Sequence, residues 1–137
     1  MITELQVKNL LIKLGVRPVL LGYEYLADAI MRYSNRTHIH MVLVNGLYTD
    51  VAQDYGTTVS RVERAMRHAI IRSYANVPDD LKQDIFSNTV PTGREHPTLG
   101  NYIAALATYL QLQEETSAGQ YNCLYSNSYP HKSEEVL

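Results

Sequence analysis

Arg61, Arg64 and Arg67 recur at every third residue within VSRVERAMRHAI, with Ser60, Glu63 and His68 among them. A guanidinium fork donates two parallel hydrogen bonds to O6 and N7 of guanine, and each good pair of this kind discriminates by roughly 1–3 kcal/mol. A glutamate at such a surface can accept from cytosine N4. This set therefore suits the floor and walls of a DNA major groove. The competing reading is a solvated basic face on an ordinary amphipathic helix.

Such side chains need an element that holds them outward together. Projected at 100° per residue, Val62, Ala65, Met66, Ala69 and Ile70 gather on one side of a helix. Ser60, Arg61, Arg64, Arg67 and His68 gather on the other, with Glu63 at the margin and Ile71 as the one apolar intruder. Between Thr57 and Asn76 stand four arginines and one acid, a net of +3. The preceding residues read as a shorter helix and a turn. Ala52 is small enough for close packing, Gly56 four residues later tolerates a sharp reversal, and Val62 six further on can hold the second helix to the first. Val51 and Tyr55 complete the first helix's expected inner face. Thr57 or Thr58 can cap the second, although Arg61 denies Thr58 the reciprocal acid of a full capping box. The unit from Thr49 to Ala75 is a helix-turn-helix by this spacing.

The rest of the chain reads as helices that would support this pair. Expected spans are Thr3–Leu14, with Leu5, Leu10, Leu11 and Leu14 apolar, and Pro18–Tyr33, whole or interrupted near Gly22. In that second span Leu21, Tyr25, Leu26, Ala29 and Ile30 face inward. Arg36–Val44 follows, ending at Asn45-Gly46, although Ile39–Val44 is β-branched enough to read as a strand. Beyond the pair come Asp79–Ser87, with acids at its start suiting the helix dipole, and Thr98–Gln113, with Ile103, Leu106, Ala107 and Leu110 apolar. The fold class is all-α, a compact domain of about six helices containing a helix-turn-helix. Residues 1–113 form that DNA-binding domain, and residues 114–137 read as a polar, flexible tail.

Bulk properties restrict the alternatives. The chain has 137 residues and 45% apolar content, enough for one core. The formal net charge is −2, yet residues 51–76 carry +2 and residues 77–137 carry −5, so the local patch outweighs the total. One cysteine, Cys123, excludes an internal disulfide and a cysteine-rich zinc site. His38 and His40 lack a nearby acid or cysteine at ligand spacing, so no metal or other cofactor is expected. No apolar run is long enough for a membrane span, and the N-terminus lacks a signal peptide's pattern, which places the protein in the cytoplasm. No nucleophile site, paired carboxylates or phosphate-cradling glycine loop points to an enzyme. Tyr121, Tyr125 and Tyr129 recur at helical spacing in the tail and could form a partner-binding stripe.

A resemblance adds to these readings. The Ser60–Ala69 run resembles the recognition helix of the C-terminal effector domain of the stage-zero sporulation response regulator, a transcription-factor family of endospore-forming bacteria. LLIKLGVRPVLLGYEYLADAI is similar to that family's opening helices, GLYTDVAQDYGTT to its first helix-turn-helix helix, and Pro97-Thr98 to the pair before its last helix. The likeness spans roughly Leu5–Leu112. The chain departs from the family at Gly93-Arg94-Glu95-His96, where relatives are lysine-rich, at Leu99, and at Tyr74, the aromatic nearest the usual tryptophan. With Met1 directly before the effector part, no receiver domain and no phosphorylation control within this chain are expected.

The resemblance implies double-stranded DNA with a short asymmetric TCGAA-like core as the target. It implies Arg64 on a guanine edge and Glu63 on a cytosine, with Arg61 and Arg67 divided between bases and phosphates. Thr58, Ser60, His68 and the loop residue Arg94 complete the expected contact set, and His96 could also touch backbone. The family's domains sit side by side on tandem sites, which implies a homodimer on DNA. The alternative is a protein-interaction module that pairs with a full-length regulator or holds RNA polymerase without reading DNA.

Overall fold

The computed structural model describes residues 2–35, 43–87, 90 and 95–126, with 43–45 and 117–126 as backbone. The helices are α1 (Glu4–Lys13), α2 (Leu21–Ser34), α3 (Leu43–Asp54), α4 (Val59–Tyr74), α5 (Asp79–Phe86) and α6 (Leu99–Ser126), with no strand among the described residues. The all-α expectation holds.

Local chemistry starts α1 sharply. Thr3 Oγ1 accepts from the Gln6 amide at 3.2 Å, and the Thr3 amide donates to Gln6 Oε1 at 2.8 Å, a reciprocal capping box. Val7, Leu10 and Leu11 then face the core, whereas Leu5 is 68% exposed. Leu5, although apolar, is not on that face. It lies some 200° around the helix from Val7, and the side that Val7, Leu11 and Leu14 share is the one that packs.

Helix α2 is the hub, touching α1, α3, α4 and α6. It starts at Leu21 rather than Pro18 and runs without interruption. Gly22 marks a close approach: a Cβ there would lie 2.3 Å from the backbone oxygen of Ala65 in α4. Only a residue without a side chain lets the two backbones come so near. Leu21, expected inward, is exposed beside this crossing, while Tyr23, Leu26, Ala29 and Ile30 are buried.

Helix α3 corrects a second boundary. It passes through Asn45-Gly46, where a helix end was expected, and supplies the first helix of the motif from Leu43 onward. A glycine inside a helix costs roughly 1 kcal/mol. Fully burying Leu47 and Tyr48, at 0% and 2% exposure, outweighs it. The expected helix over Arg36–Val44 lies mostly outside the described residues, as do His38 and His40.

The α4–α6 side closes with an aromatic cluster. Phe86 of α5 stands edge-on to Tyr74 at 5.4 Å and stacks on Tyr102 of α6 at 5.3 Å. Burial pushes the Tyr102 phenol well above the usual tyrosine range. Gln111 of α6 donates to the Ser34 carbonyl at the end of α2, at 2.9 Å. Helix α6 then continues beyond Gln113, its expected end, to Ser126. No proline intervenes before Pro130, and Glu114, Glu115 and Ala118 are good helix formers. Tyr121 and Tyr125 fall within this stretch of backbone; their side chains, that of Cys123, and Tyr129 lie outside the described residues. No helix among the described residues is long and apolar enough to cross a membrane.

Candidate nucleic-acid interface

The reversal between α3 and α4 is built from backbone hydrogen bonds. The Gly56 amide donates to the Gln53 carbonyl at 3.2 Å, and the Thr57 amide donates to the Ala52 carbonyl at 2.9 Å. This is a Schellman arrangement, which needs a left-handed residue after the helix. Gly56 provides it at φ +62°, in open space, so the requirement is conformational rather than steric. Thr58 then caps α4 by accepting from the Arg61 amide at 3.2 Å. The capping half of the Thr58 signal is present, and the reciprocal half is absent, as Arg61 dictates.

Packing fixes which way α4 faces. Val62, Met66, Ala69 and Ile70 are almost fully buried in the same apolar core as Val51 and Ala52 of α3, and α4 packs on α2, α3 and α6. Tyr55 was expected to join this inner face, yet it is 45% exposed and stands edge-on to Tyr25 at 5.0 Å. It follows the last residue of α3, where helical periodicity no longer positions a side chain.

The opposite side of α4 carries Ser60, Arg61, Arg64, Arg67 and His68, all exposed, with Glu63 half-buried at the margin. Arg67 Nη1 pairs with Glu63 Oε1 at 3.0 Å, one turn apart. Arg61 and Arg64 have no ion pair among the described residues. The structure thus brings the predicted arginines, Ser60, Glu63 and His68 onto one surface, with Thr58 exposed at its leading edge. Arg94 lies outside the described residues.

Two features enter this region that spacing alone did not reveal. Tyr48 of α3 is buried beneath the Glu63–Arg67 pair, and its hydroxyl pKa is pushed up to about 12. Loss of solvent is the main cause; the Glu63 carboxylate adds to it and the Arg67 guanidinium opposes it. The signal was hidden because the motif's first helix reads as starting at Thr49. The second feature is the start of α6. Thr98 caps it by accepting from the Asn101 amide at 3.3 Å, and His96 to Gly100 line a cavity of about 280 Å³ together with Tyr48, Arg67 and Ile70. The late loop therefore comes down beside Arg67, although the two are far apart in sequence.

A capped helix with one sealed face and one arginine-bearing face, set off by a glycine reversal, is the geometry of a recognition helix. The sequence model of the family described as "Sporulation initiation factor Spo0A C terminal" matches residues 7–110, from α1 well into α6. The chain belongs to this family. The family's members are DNA-binding effector domains of sporulation regulators, not enzymes. The match takes in the whole of α3, the Gly56 turn and α4.

Proposed function

We propose that this domain is a sequence-specific transcriptional regulator of the cytoplasm that reads the major groove with α4, Ser60 to Arg67 entering first. The observation that carries this reading is the outward face of α4, where Arg61 and Arg64 stand exposed with no ion pair among the described residues. Arg64 reads a guanine edge. Glu63 accepts from a cytosine, and its pairing with Arg67 holds both side chains ready without a large loss of rotamer freedom on binding. Arg61 and Arg67 divide between bases and phosphates. Thr58, His68 and Arg94 hold the backbone, where contacts position rather than specify. Two copies side by side on tandem sites belong to the same proposal.

The test is an equilibrium titration of the purified chain against a TCGAA-containing duplex and a scrambled one across a salt series. Tighter binding to the first, with log affinity falling steeply and linearly against log salt, is expected. Equal, weak binding to both duplexes together with capture of RNA polymerase would favour the interaction-module alternative instead.

A further inference from the structure

The outward face of α4 carries one large, exposed apolar side chain. Ile71 is 54% exposed, whereas its neighbour Ile70 is 1% exposed and supplies the core contact at this level of α4. Ile71 follows Arg64, Arg67 and His68 by seven, four and three residues, the offsets of a single helical face. With Ser60, Glu63 and those three it lines an open depression of about 470 Å³. Among the described residues, the other exposed large aliphatic side chains, Leu5, Ile12, Val19, Leu21 and Leu112, lie outside α4.

We infer that Ile71 is a further specificity-determining residue, which packs on the C5-methyl of a thymine in the major groove. The inference rests on the major-groove reading proposed above. Among the groups that distinguish base pairs in that groove, this methyl is the apolar one. An isoleucine set among guanidinium groups therefore gains from burial against thymine and from no other base edge. Its place along the helix also predicts where that thymine lies. Seven residues at 1.5 Å each separate Ile71 from Arg64 by about 10 Å along α4, at most roughly three base-pair steps of 3.4 Å. The contact falls in the flank of the site rather than on the base that Arg64 reads.

The experiment uses the full chain and duplexes in which each flanking pair within four of the core is made A·T in turn, on either strand. Every thymine is compared with deoxyuridine, which pairs identically but lacks the methyl. Loss of the methyl at one flanking position should weaken binding about fourfold, as expected for one buried methyl-sized group. Ile71→Ala should weaken binding to the thymine duplex by a similar factor and abolish the thymine–deoxyuridine difference there. Its thermal unfolding should match the parent chain's, since the side chain is exposed. Parent binding that ignores deoxyuridine at every position, or Ile71→Ala keeping the parent's sensitivity, overturns the inference while leaving the major-groove reading intact. A loss for Ile71→Ala confined to two-site duplexes also overturns it, and assigns Ile71 to contact between copies. Failure of the parent chain to prefer any duplex removes the major-groove reading itself.

Discussion

Helices α2 and α4 cross at Gly22 and Ala65, yet they have opposite fates. Helix α2 is covered by four neighbours and buries Gly22, Tyr23, Tyr25, Leu26, Ala27, Ala29 and Ile30. Helix α4 buries a single stripe and leaves its arginines to solvent. The difference separates two tasks. One helix is committed to holding the fold, so the other can commit a whole face to a ligand without weakening the core. Mutations on the two faces of α4 should therefore be separable: inner ones change stability, outer ones change binding.

The most damaging test of that separation is Met66→Ala, at a site with no exposure. Urea unfolding should show a loss of about 2–5 kcal/mol, the range for truncating a buried methionine. Gly22→Ala comes next, at about 1–3 kcal/mol, because the atom a Cβ would meet is backbone and cannot swing aside. Gly56→Ala should cost about 1 kcal/mol through left-handed strain alone. Arg61→Ala should shift unfolding by no more than about 0.5 kcal/mol, as for a typical surface change. If it destabilised as much as Met66→Ala, the two-face description would be wrong.

The boundary between the faces can be probed by pH. Tyr48 has a folded-state pKa near 12 against an ordinary value of 10.0. Above pH 10 the unfolded chain releases this proton while the folded chain retains it, so stability is intact below pH 10 and falls towards pH 12. Buried Tyr102 and Tyr74 act in the same direction. Tyr48→Phe should flatten part of the alkaline decline, measured by circular dichroism melts from pH 9 to 12.

What could be read from the residues divides along the same line. Helix α4 was legible because it has one apolar stripe, a threonine start and a preceding glycine, and each feature acts locally. Even the exposure of Ile71 followed from its angular position. The misreadings came where distant packing decides. Asn45-Gly46 carries a stop signal that burial of Leu47 and Tyr48 overrides. Leu21 is apolar, but no helix among the described residues covers it. The cavity joining Tyr48, Arg67 and the start of α6 depends on contacts between segments remote in sequence, which no spacing rule encodes.

The most direct measurement of the central claim is the ratio of affinities for the TCGAA-containing and scrambled duplexes, taken for the parent chain, Arg64→Ala and Arg67→Ala. Arg64→Ala should collapse that ratio by roughly 5- to 150-fold, the equivalent of about 1–3 kcal/mol of base discrimination. Arg67→Ala should weaken both duplexes more evenly and lower the salt slope by about one. Unchanged discrimination in Arg64→Ala, or equal effects of the two substitutions on both duplexes, would contradict the assignment of α4 as the element that reads sequence.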